Sequence, residues 1–194
     1  MTATILLIRH ARHADYGVRL SGRSDIPLTA KGLAEADRLG ERLAERGLAA
    51  VQSSPLRRAQ ETAGKIARAA GLAAETHDGL NEIEFGGWSE RSFPALEAEP
   101  GWRAWNTVRS KARPPGGETQ GEATARAVAH LEQQAERHAG ATIACVTHCD
   151  IIRGVICHYL GLPFDNLLRF DIDAASISTL VIGSWGARVA GINA

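Results

Sequence analysis

Apolar residues along the chain form short runs that alternate with longer amphipathic segments. The short runs have the length and composition of buried β-strands. In the amphipathic segments the apolar residues recur every three or four positions, which is the spacing of one helix face. This alternation predicts an α/β fold, a three-layer α/β/α sandwich with a mostly parallel central sheet. The runs assigned to strands are 3–10, 49–52, 73–76, 142–146, 176–182 and 187–190.

Residues with known capping preferences mark the ends of the predicted helices. Thr29 precedes the first helix, which extends to about residue 46, and Ser54 followed by Pro55 precedes the second. Thr119 and Glu122 have the spacing of a capping box before the third helix, which extends to about residue 138. A last helix is predicted over 149–160. Each of the four helices is followed by glycine, the preferred residue after a helix end: Gly47, Gly71, Gly140 and Gly161.

Residues 78–118 interrupt the alternation. They hold four of the seven prolines and three of the four tryptophans. Clustered prolines disfavour regular elements, so this segment is predicted to be a small irregular lid that selects substrate, with its tryptophans packed as core anchors. At 194 residues the chain has the length of one globular domain, and we assign 1–194 to a single domain.

Composition excludes several classes of function. The 22 basic and 22 acidic residues cancel, so no overall positive field would gather nucleic acid or an anionic membrane. The amino terminus lacks a basic segment before its apolar run, and no apolar stretch has membrane-spanning length. We therefore expect a cytoplasmic protein without nucleic-acid or membrane partners. The three cysteines, Cys145, Cys149 and Cys157, are expected to be reduced thiols.

Two of the predicted strands end in histidine, at His10 and at His148. Ligands of an open α/β sheet bind at the carboxyl ends of its strands, so both imidazoles could face one pocket. Arg9 adjoins the first histidine, and Arg57 and Arg58 lie near the start of the second helix. Guanidinium groups and a helix amino terminus hold a phosphate and repel a metal cation. The pattern therefore favours a phosphate site.

A phosphate in such a pocket suggests a specific chemistry. A neutral imidazole can displace an alcohol from phosphorus in line and form a phosphohistidine, which water then hydrolyses. The departing alcohol needs a proton. Glu82 lies among apolar neighbours that would raise its pKa, so it could serve first as the acid and then as the base for water. This scheme needs neither a metal nor a cofactor.

The residues with this chemistry occur in motifs that resemble those of the histidine phosphatase superfamily, also called phosphoglycerate mutase-like. The resemblance covers nearly the whole chain and keeps the order of the family's motifs. The motifs are Leu7-Ile8-Arg9-His10, Ser21-Gly22, Asp25-Ile26-Pro27-Leu28-Thr29, Ser53-Ser54-Pro55-Leu56-Arg57-Arg58-Ala59, Glu82 with Phe85-Gly86 and Trp88, Pro115-Gly116-Gly117-Glu118-Thr119, and Val146-Thr147-His148.

The resemblance implies a metal-independent phosphatase that acts on a phosphate monoester of a small metabolite. It implies His10 as the phosphorylated nucleophile and Glu82 as the proton donor. Arg9, Arg58 and His148 would form the phosphate clamp. Backbone amides would contact substrate near Ser21, Gly22, Thr147 and Cys149.

Some positions depart from the family's pattern. The residues after the nucleophile are Ala11, Arg12 and His13, where the family usually has glycine, an acidic or amide residue, and serine or threonine. Cys149 stands where glycine usually follows the second histidine. His13 and Asp15 are expected on the loop surface. Arg57 is expected to be solvated. The remaining arginines of this loop, which either lie on its surface or extend the positive field over a second anionic group, are Arg12, Arg19 and Arg23.

The sequence leaves several alternatives open. A phosphoglycerate mutase would pass the phosphoryl group to a second alcohol instead of to water. A non-catalytic phosphate-binding module would retain the clamp without turnover, and the unusual residues 11–13 suggest it. Histidine and cysteine near 10–13 and 145–149 also suggest zinc, but their spacing matches no familiar zinc pattern. A homodimer is compatible with the sequence.

Overall fold

The fold is built on one six-stranded sheet. The computed structural model describes residues 1–194. The strands are β1 (Thr2–Arg9), β2 (Leu48–Ser53), β3 (Ala74–Thr76), β4 (Thr142–Thr147), β5 (Ile177–Gly183) and β6 (Gly186–Gly191). Their order across the sheet is β3-β2-β4-β1-β5-β6. Strands β1 to β4 are parallel to one another, β5 is antiparallel to β1, and β6 is antiparallel to β5. The predicted mostly parallel sheet is confirmed.

Helices cover both faces of this sheet. They are α1 (Ala30–Leu43), α2 (Arg57–Ala69), α3 (Phe93–Glu97), α4 (Pro100–Thr107), α5 (Gln120–Arg137) and α6 (Cys149–Leu160). One apolar cluster joins one face of the sheet to α1 and α2, and a larger cluster joins the other face to α5, α6 and the 78–118 segment. The predicted three-layer α/β/α architecture is confirmed.

The central strand β1 shows how the sequence produces these two cores. Successive side chains of a strand point to opposite faces of the sheet. Ile5 and Leu7 belong to the cluster beneath α5 and α6, whereas Leu6 and Ile8 belong to the cluster beneath α1 and α2. A continuous apolar run is therefore required here, because both faces of β1 are covered.

The capping predictions are confirmed at two helices and wrong at one. The Thr29 hydroxyl accepts from the Gly32 amide at 3.1 Å, and Thr119 and Glu122 form the predicted capping box. Helix α2, however, begins at Arg57, and its first turn has no side-chain cap. Ser54 was the predicted cap, but it lies further back, in the loop that follows β2.

The 78–118 segment is more regular than its prolines suggested. It contains α3 and α4 and two short 3₁₀ turns, Asp78–Leu80 and Gly86–Trp88. Its three tryptophans are buried and meet edge to face, and Trp88 contacts both of the others. Their predicted role as core anchors is confirmed: they are Trp88, Trp102 and Trp105.

None of the helices combines the length and the apolar composition needed to cross a bilayer.

Candidate active site

The carboxyl ends of β1 and β4 bring the two strand-end histidines together. The strands are parallel neighbours, with Arg9 opposite Thr147, and the His10 amide donates to the Thr147 carbonyl at 3.0 Å. The imidazole rings of His10 and His148 follow, with their centroids 5.1 Å apart. The expected convergence of these two side chains follows from the parallel register.

His10 is held in one orientation. Its ring is almost fully buried, and Nδ1 lies 2.8 Å from the Ala11 carbonyl oxygen, which can only accept. This contact assigns the proton of the neutral ring to Nδ1 and leaves the lone pair on Nε2. Burial and the charge of Arg58 hold the His10 pKa well below its usual range. At neutral pH the ring is therefore uncharged, and its Nε2 lone pair is available.

Arg58, in the first turn of α2, lies between the two histidines. Its Nε is 3.3 Å from His10 Nε2, and one Nη is 3.3 Å from His148 Nδ1. The same guanidinium donates to the carbonyls of Gly22 at 2.5 Å and Ser24 at 2.9 Å. These contacts orient a buried cation beside His10 Nε2, where a phosphoryl oxygen would accept from it.

The neighbouring Arg57 has a different environment. About half of its side chain is exposed, and it donates to Glu61 one helical turn further on. This agrees with the expectation that Arg57 is a solvated residue.

His148 is completely buried behind this arginine. Its Nε2 is 2.7 Å from the Ser54 hydroxyl, and its Nδ1 is 3.9 Å from a carboxyl oxygen of Glu82. The pKa of His148 is held well below its usual range, first by burial and then by Arg58. Sequence reasoning missed this partner because Ser54 was assigned to the cap of α2.

Arg9 lies on the other side of His10. One Nη donates to the Ile172 carbonyl at 2.6 Å, and its guanidinium carbon lies 4.8 Å from the centroid of the Tyr16 ring. Its buried Nε has no hydrogen-bond partner. A buried donor without a partner costs free energy, so an anion that accepted from it would be stabilised.

Glu82 is buried in the same cavity, and its Oε1 accepts from the Ile83 amide at 2.9 Å. Burial, and next the negative charge of Asp150, raise the Glu82 pKa to about 7. Arg58 and Arg9 oppose the rise because they stabilise the carboxylate. A carboxyl group with this pKa can both give and accept a proton near neutral pH.

Three charged side chains that sequence reasoning missed connect the 78–118 segment to α6. Arg109 is buried, lies 4.0 Å from the centroid of the Trp105 ring and donates to Asp150 at 2.9 Å. Arg153 approaches the same carboxylate at 3.8 Å. The two cations hold the pKa of Asp150 below its usual value despite its burial. No spacing along the chain predicts this cluster, because Arg109 and Asp150 are 41 residues apart.

Most of these side chains line one cavity of about 250 Å³, whereas His148 is not part of its lining. Arg9, His10, Arg58 and Glu82 line it, so a phosphate there would meet two guanidinium groups, an imidazole and a protonatable carboxyl group. The 78–118 segment contributes Trp102 and other residues to the wall. This volume is close to the lower end of the range of small-molecule pockets, so the cavity suits a compact ligand.

The four residues whose backbone amides were expected to contact substrate do not all line the cavity. Ser21, Gly22 and Cys149 line the cavity. Thr147 is buried, and its hydroxyl donates at 2.7 Å to the carbonyl of Leu80, two residues before Glu82. Burial raises the pKa of the Cys149 thiol to about 11, so it is protonated at neutral pH.

The unusual residues after His10, residues 11–13, are bound to buried groups. The Ala11 amide donates to the Thr62 hydroxyl at 3.1 Å, and Arg12 forms an ion pair with the buried Glu35. His13 was expected on the surface, but it is only 7% exposed, because the loop folds back and turns its ring towards His10. That expectation was wrong.

The loop arginines and Asp15 are distributed between ion pairs and the cavity. Arg23 pairs with Glu118, so neither it nor Arg12 is a free cation over the site. Arg19 and Asp15 line the cavity.

No group of three or more His, Cys, Asp or Glu side chains in residues 1–194 is arranged to hold a metal ion.

Comparison with known proteins agrees with this geometry. The family model described as "Histidine phosphatase superfamily (branch 1)" matches residues 5–194. Phosphoserine phosphatase 1 of Hydrogenobacter thermophilus is 31% identical over 179 residues, covering 91% of this chain and 85% of that protein. A "probable phosphoglycerate mutase" of Salmonella paratyphi B is 33% identical over 179 residues, covering 91% and 83%.

Solved structures with a similar fold include a phosphatase as well. The structure of a mycobacterial glucosyl-3-phosphoglycerate phosphatase aligns over all of both chains, with a TM-score of 0.87 and 27% identity. The prediction of a phosphoric monoester hydrolase of the histidine phosphatase type is confirmed at the level of the family. With the family model covering almost its entire length, the chain belongs to the histidine phosphatase superfamily.

Proposed function

We propose that this protein hydrolyses a phosphate monoester of a small metabolite through a phosphohistidine on His10, without a metal or a cofactor. The observation that carries the proposal is the state of the His10 ring. Its Nδ1 proton is directed to the Ala11 carbonyl, so the lone pair on Nε2 lies in the cavity beside the Arg58 guanidinium. A substrate phosphoryl group held by that guanidinium would lie next to the attacking nitrogen.

In the first step, His10 Nε2 attacks phosphorus and the bond to the substrate alcohol breaks. Arg9 and Arg58 neutralise the charge on the phosphoryl oxygens, and His148 stands behind Arg58 as part of the same clamp. Glu82 gives its proton to the departing alkoxide. Its pKa of about 7 supports this role, because an acid with this pKa is substantially protonated at neutral pH.

In the second step, a water molecule replaces the alcohol. The Glu82 carboxylate takes one proton from this water, the new oxygen–phosphorus bond forms, and the phosphorus–nitrogen bond of phosphohistidine breaks. Inorganic phosphate leaves, and Glu82 again holds its proton. Asp150 assists both steps through its negative charge, since it favours the protonated form of Glu82.

The substrate is a small phosphorylated metabolite. Similar proteins are named phosphoserine phosphatase and glucosyl-3-phosphoglycerate phosphatase, and a cavity of about 250 Å³ suits a compact substrate. Residues 1–194 act as one domain in this proposal, with 78–118 as the lid that selects the alcohol. Backbone amides near Ser21, Gly22, Thr147 and Cys149 assist in binding. The three free thiols are compatible with a cytoplasmic location.

A mutase is the second candidate, because one similar protein is named a probable phosphoglycerate mutase. The two activities share the phosphohistidine and differ in its fate. Incubation with 3-phosphoglycerate separates them: a phosphatase releases inorganic phosphate, whereas a mutase produces the 2-phospho isomer.

The proposal is tested by turnover of p-nitrophenyl phosphate in the presence of excess chelator. We expect activity in the wild type and a loss of roughly 10³-fold or more in H10A. Base-quenched wild-type enzyme, analysed by mass spectrometry, should contain a phosphoryl group on His10. Binding without turnover from pH 5 to 8 would instead identify a phosphate-binding module, and activity abolished by the chelator would identify a metal-dependent hydrolase.

A further inference from the structure

The cavity contains a histidine that the proposed mechanism does not use. His13 is only 7% exposed and lines the cavity, and its ring centroid lies 5.2 Å from that of His10. The ring of His10 thus lies between two other imidazoles, since His148 is 5.1 Å away.

The surrounding backbone keeps the His13 ring in place. His13 forms an isolated antiparallel bridge with Leu28, and the preceding residue, Arg12, is bound through both its amide and its side chain to Glu35. Tyr16 packs edge-on against the His13 ring at 6.3 Å. A residue whose backbone is bound on both sides presents its ring to the cavity with little freedom to move.

One nitrogen of this ring lacks a hydrogen-bond partner. His13 Nδ1 is buried and has no hydrogen-bond partner. Nearly all buried polar atoms are paired, and an unpaired atom beside a binding cavity suggests that the ligand supplies the partner. A phosphoryl oxygen would do so if this nitrogen carried a proton.

The charges around His13 change when an anion binds. Arg58 from α2 and Arg9 from β1 face it, together with His10, while Asp15 and Tyr16 of its own loop line the same cavity. Burial, and then the two arginines, lower the His13 pKa to about 4, so the ring is neutral in the empty cavity. A bound dianion offsets the two guanidinium charges and favours the protonated imidazole.

We propose that His13 is a third imidazole of the phosphate cradle and that it takes up one proton from solvent as it binds the phosphoryl group. The proton adds to the free ring nitrogen, the resulting N–H donates to a phosphoryl oxygen, and no bond of the substrate changes. The proposal rests on the proposed function, because it assumes that the phosphoryl group occupies the cavity beside His10. It predicts that dianion binding weakens as the pH rises.

Sulfate is the appropriate probe, because it is a dianion throughout the range from pH 5 to 8 and has no proton of its own to release. Calorimetric titration at pH 6.5 in two buffers with different ionisation enthalpies gives the number of protons taken up per sulfate bound. For the wild type we expect more than about half a proton from His13. H13Q keeps an N–H donor that does not titrate. Its proton uptake per sulfate bound should therefore be lower than that of the wild type by more than about half a proton.

Two further variants complete the test. H13A should bind sulfate roughly ten- to hundredfold more weakly, as expected for the loss of a hydrogen bond to a charged group. H158Q, at an exposed position of α6, should match the wild type in both affinity and proton uptake. Circular dichroism identifies any variant that has failed to fold. If H13A fails to fold, the proton uptake of H13Q alone tests the proposal.

Equal proton uptake by the wild type and H13Q, or unchanged sulfate affinity in folded H13A, would overturn the proposal. This outcome is distinguishable from failure of the phosphatase assignment, because turnover of p-nitrophenyl phosphate and its loss in H10A are measured separately. A wild type that turns over substrate while its His13 variants bind sulfate normally would retain the phosphatase and exclude the role of His13.

Discussion

Glu82 shows how burial alters the chemistry of a single side chain. The residue is only 9% exposed, and the nearby Asp150 carries a negative charge that two arginines stabilise. Both effects disfavour a second carboxylate, and together they outweigh the attraction of Arg58 and Arg9. The result is an acid with a pKa of about 7, next to a histidine that burial keeps neutral.

The role of Glu82 predicts a specific kinetic defect in E82Q. Glutamine has a similar shape but no proton to give, so hydrolysis of an alkyl phosphate should fall about 10²- to 10⁴-fold. The loss should be smaller for p-nitrophenyl phosphate, whose leaving group needs little protonation. In the wild type, kcat/KM should decrease as the pH rises through about 7, because the acid form of Glu82 is lost.

A matched control is E41Q, on an exposed position of α1, which should leave both substrates and the pH profile unchanged. Equal losses for the alkyl and aryl phosphates in E82Q, or an unchanged basic limb, would contradict the assignment of Glu82 as the acid.

At the scale of elements, the first turn of α1 supports the loop behind the nucleophile. The Thr29 amide donates to the Arg12 carbonyl at 3.0 Å, and Gly32 packs directly on the same peptide. A Cβ on Gly32 would lie 1.9 Å from the Arg12 carbonyl oxygen, which is much closer than two non-bonded heavy atoms can approach. The helix can approach residues 11–13 this closely only because position 32 has no side chain.

Two alanine substitutions at helical glycines should therefore have opposite effects. G32A must push α1 away from the loop, and we expect a loss of about 1–3 kcal/mol in the free energy of unfolding, together with reduced turnover. Gly64, in α2, faces open space, so G64A should stabilise the protein by up to about 1 kcal/mol and leave turnover intact. Urea unfolding measures the stability of each variant, and p-nitrophenyl phosphate hydrolysis measures its turnover. Similar stability and turnover of G32A and G64A would contradict the close contact at Gly32.

For the whole molecule, buried ionisable groups determine how stability depends on pH. His130 lies in α5, and burial and then the nearby His77 lower its pKa to about 4. The folded-state pKa values of His10, His13 and His148 are lowered as well, so each of the four contributes stability that is present above about pH 6.5 and is lost as the pH falls. Glu82 acts in the opposite sense: its raised pKa favours folding at low pH, and this contribution is lost as the pH rises towards 7. Four histidines therefore lower the stability as the pH falls, and one carboxyl group raises it.

The protein should therefore be less stable at pH 5 than at pH 7. The lowered pKa of His130, about 4, corresponds to a loss of at most about 2 kcal/mol over this interval, because water screens part of the effect on this partly exposed ring. The raised pKa of Glu82 offsets a similar amount. The loss from His10, His13 and His148 is then uncompensated. H130Q, away from the cavity, should show a pH dependence that is weaker by about 1–2 kcal/mol, measured as the free energy of urea unfolding at both pH values. Constant stability between pH 5 and 7 would contradict the buried neutral histidines.

Much of the fold is a local property of the chain. The apolar runs of β1, β2 and β4, the cap at Thr29 and the capping box at Thr119 depend on residues close in sequence, and each predicted element is present. Ser54 is the exception, because its hydroxyl lies 2.7 Å from His148, 94 residues away. The 78–118 segment contains more regular structure than the sequence predicted. Helix α4 packs Trp102 and Trp105 against Trp88, which lies outside the helix, and α3 buries Leu96 in the same cluster.

The sequence alone determined the order of strands and helices and placed His10 and His148 at the ends of two strands. Only the tertiary structure decided that His13 is buried, that Arg109 binds Asp150, and that the charge of Asp150 adds to the burial that raises the Glu82 pKa. The physical reason is that backbone propensity and capping act over a few residues, whereas burial and electrostatic interactions depend on which distant segments the fold brings into contact.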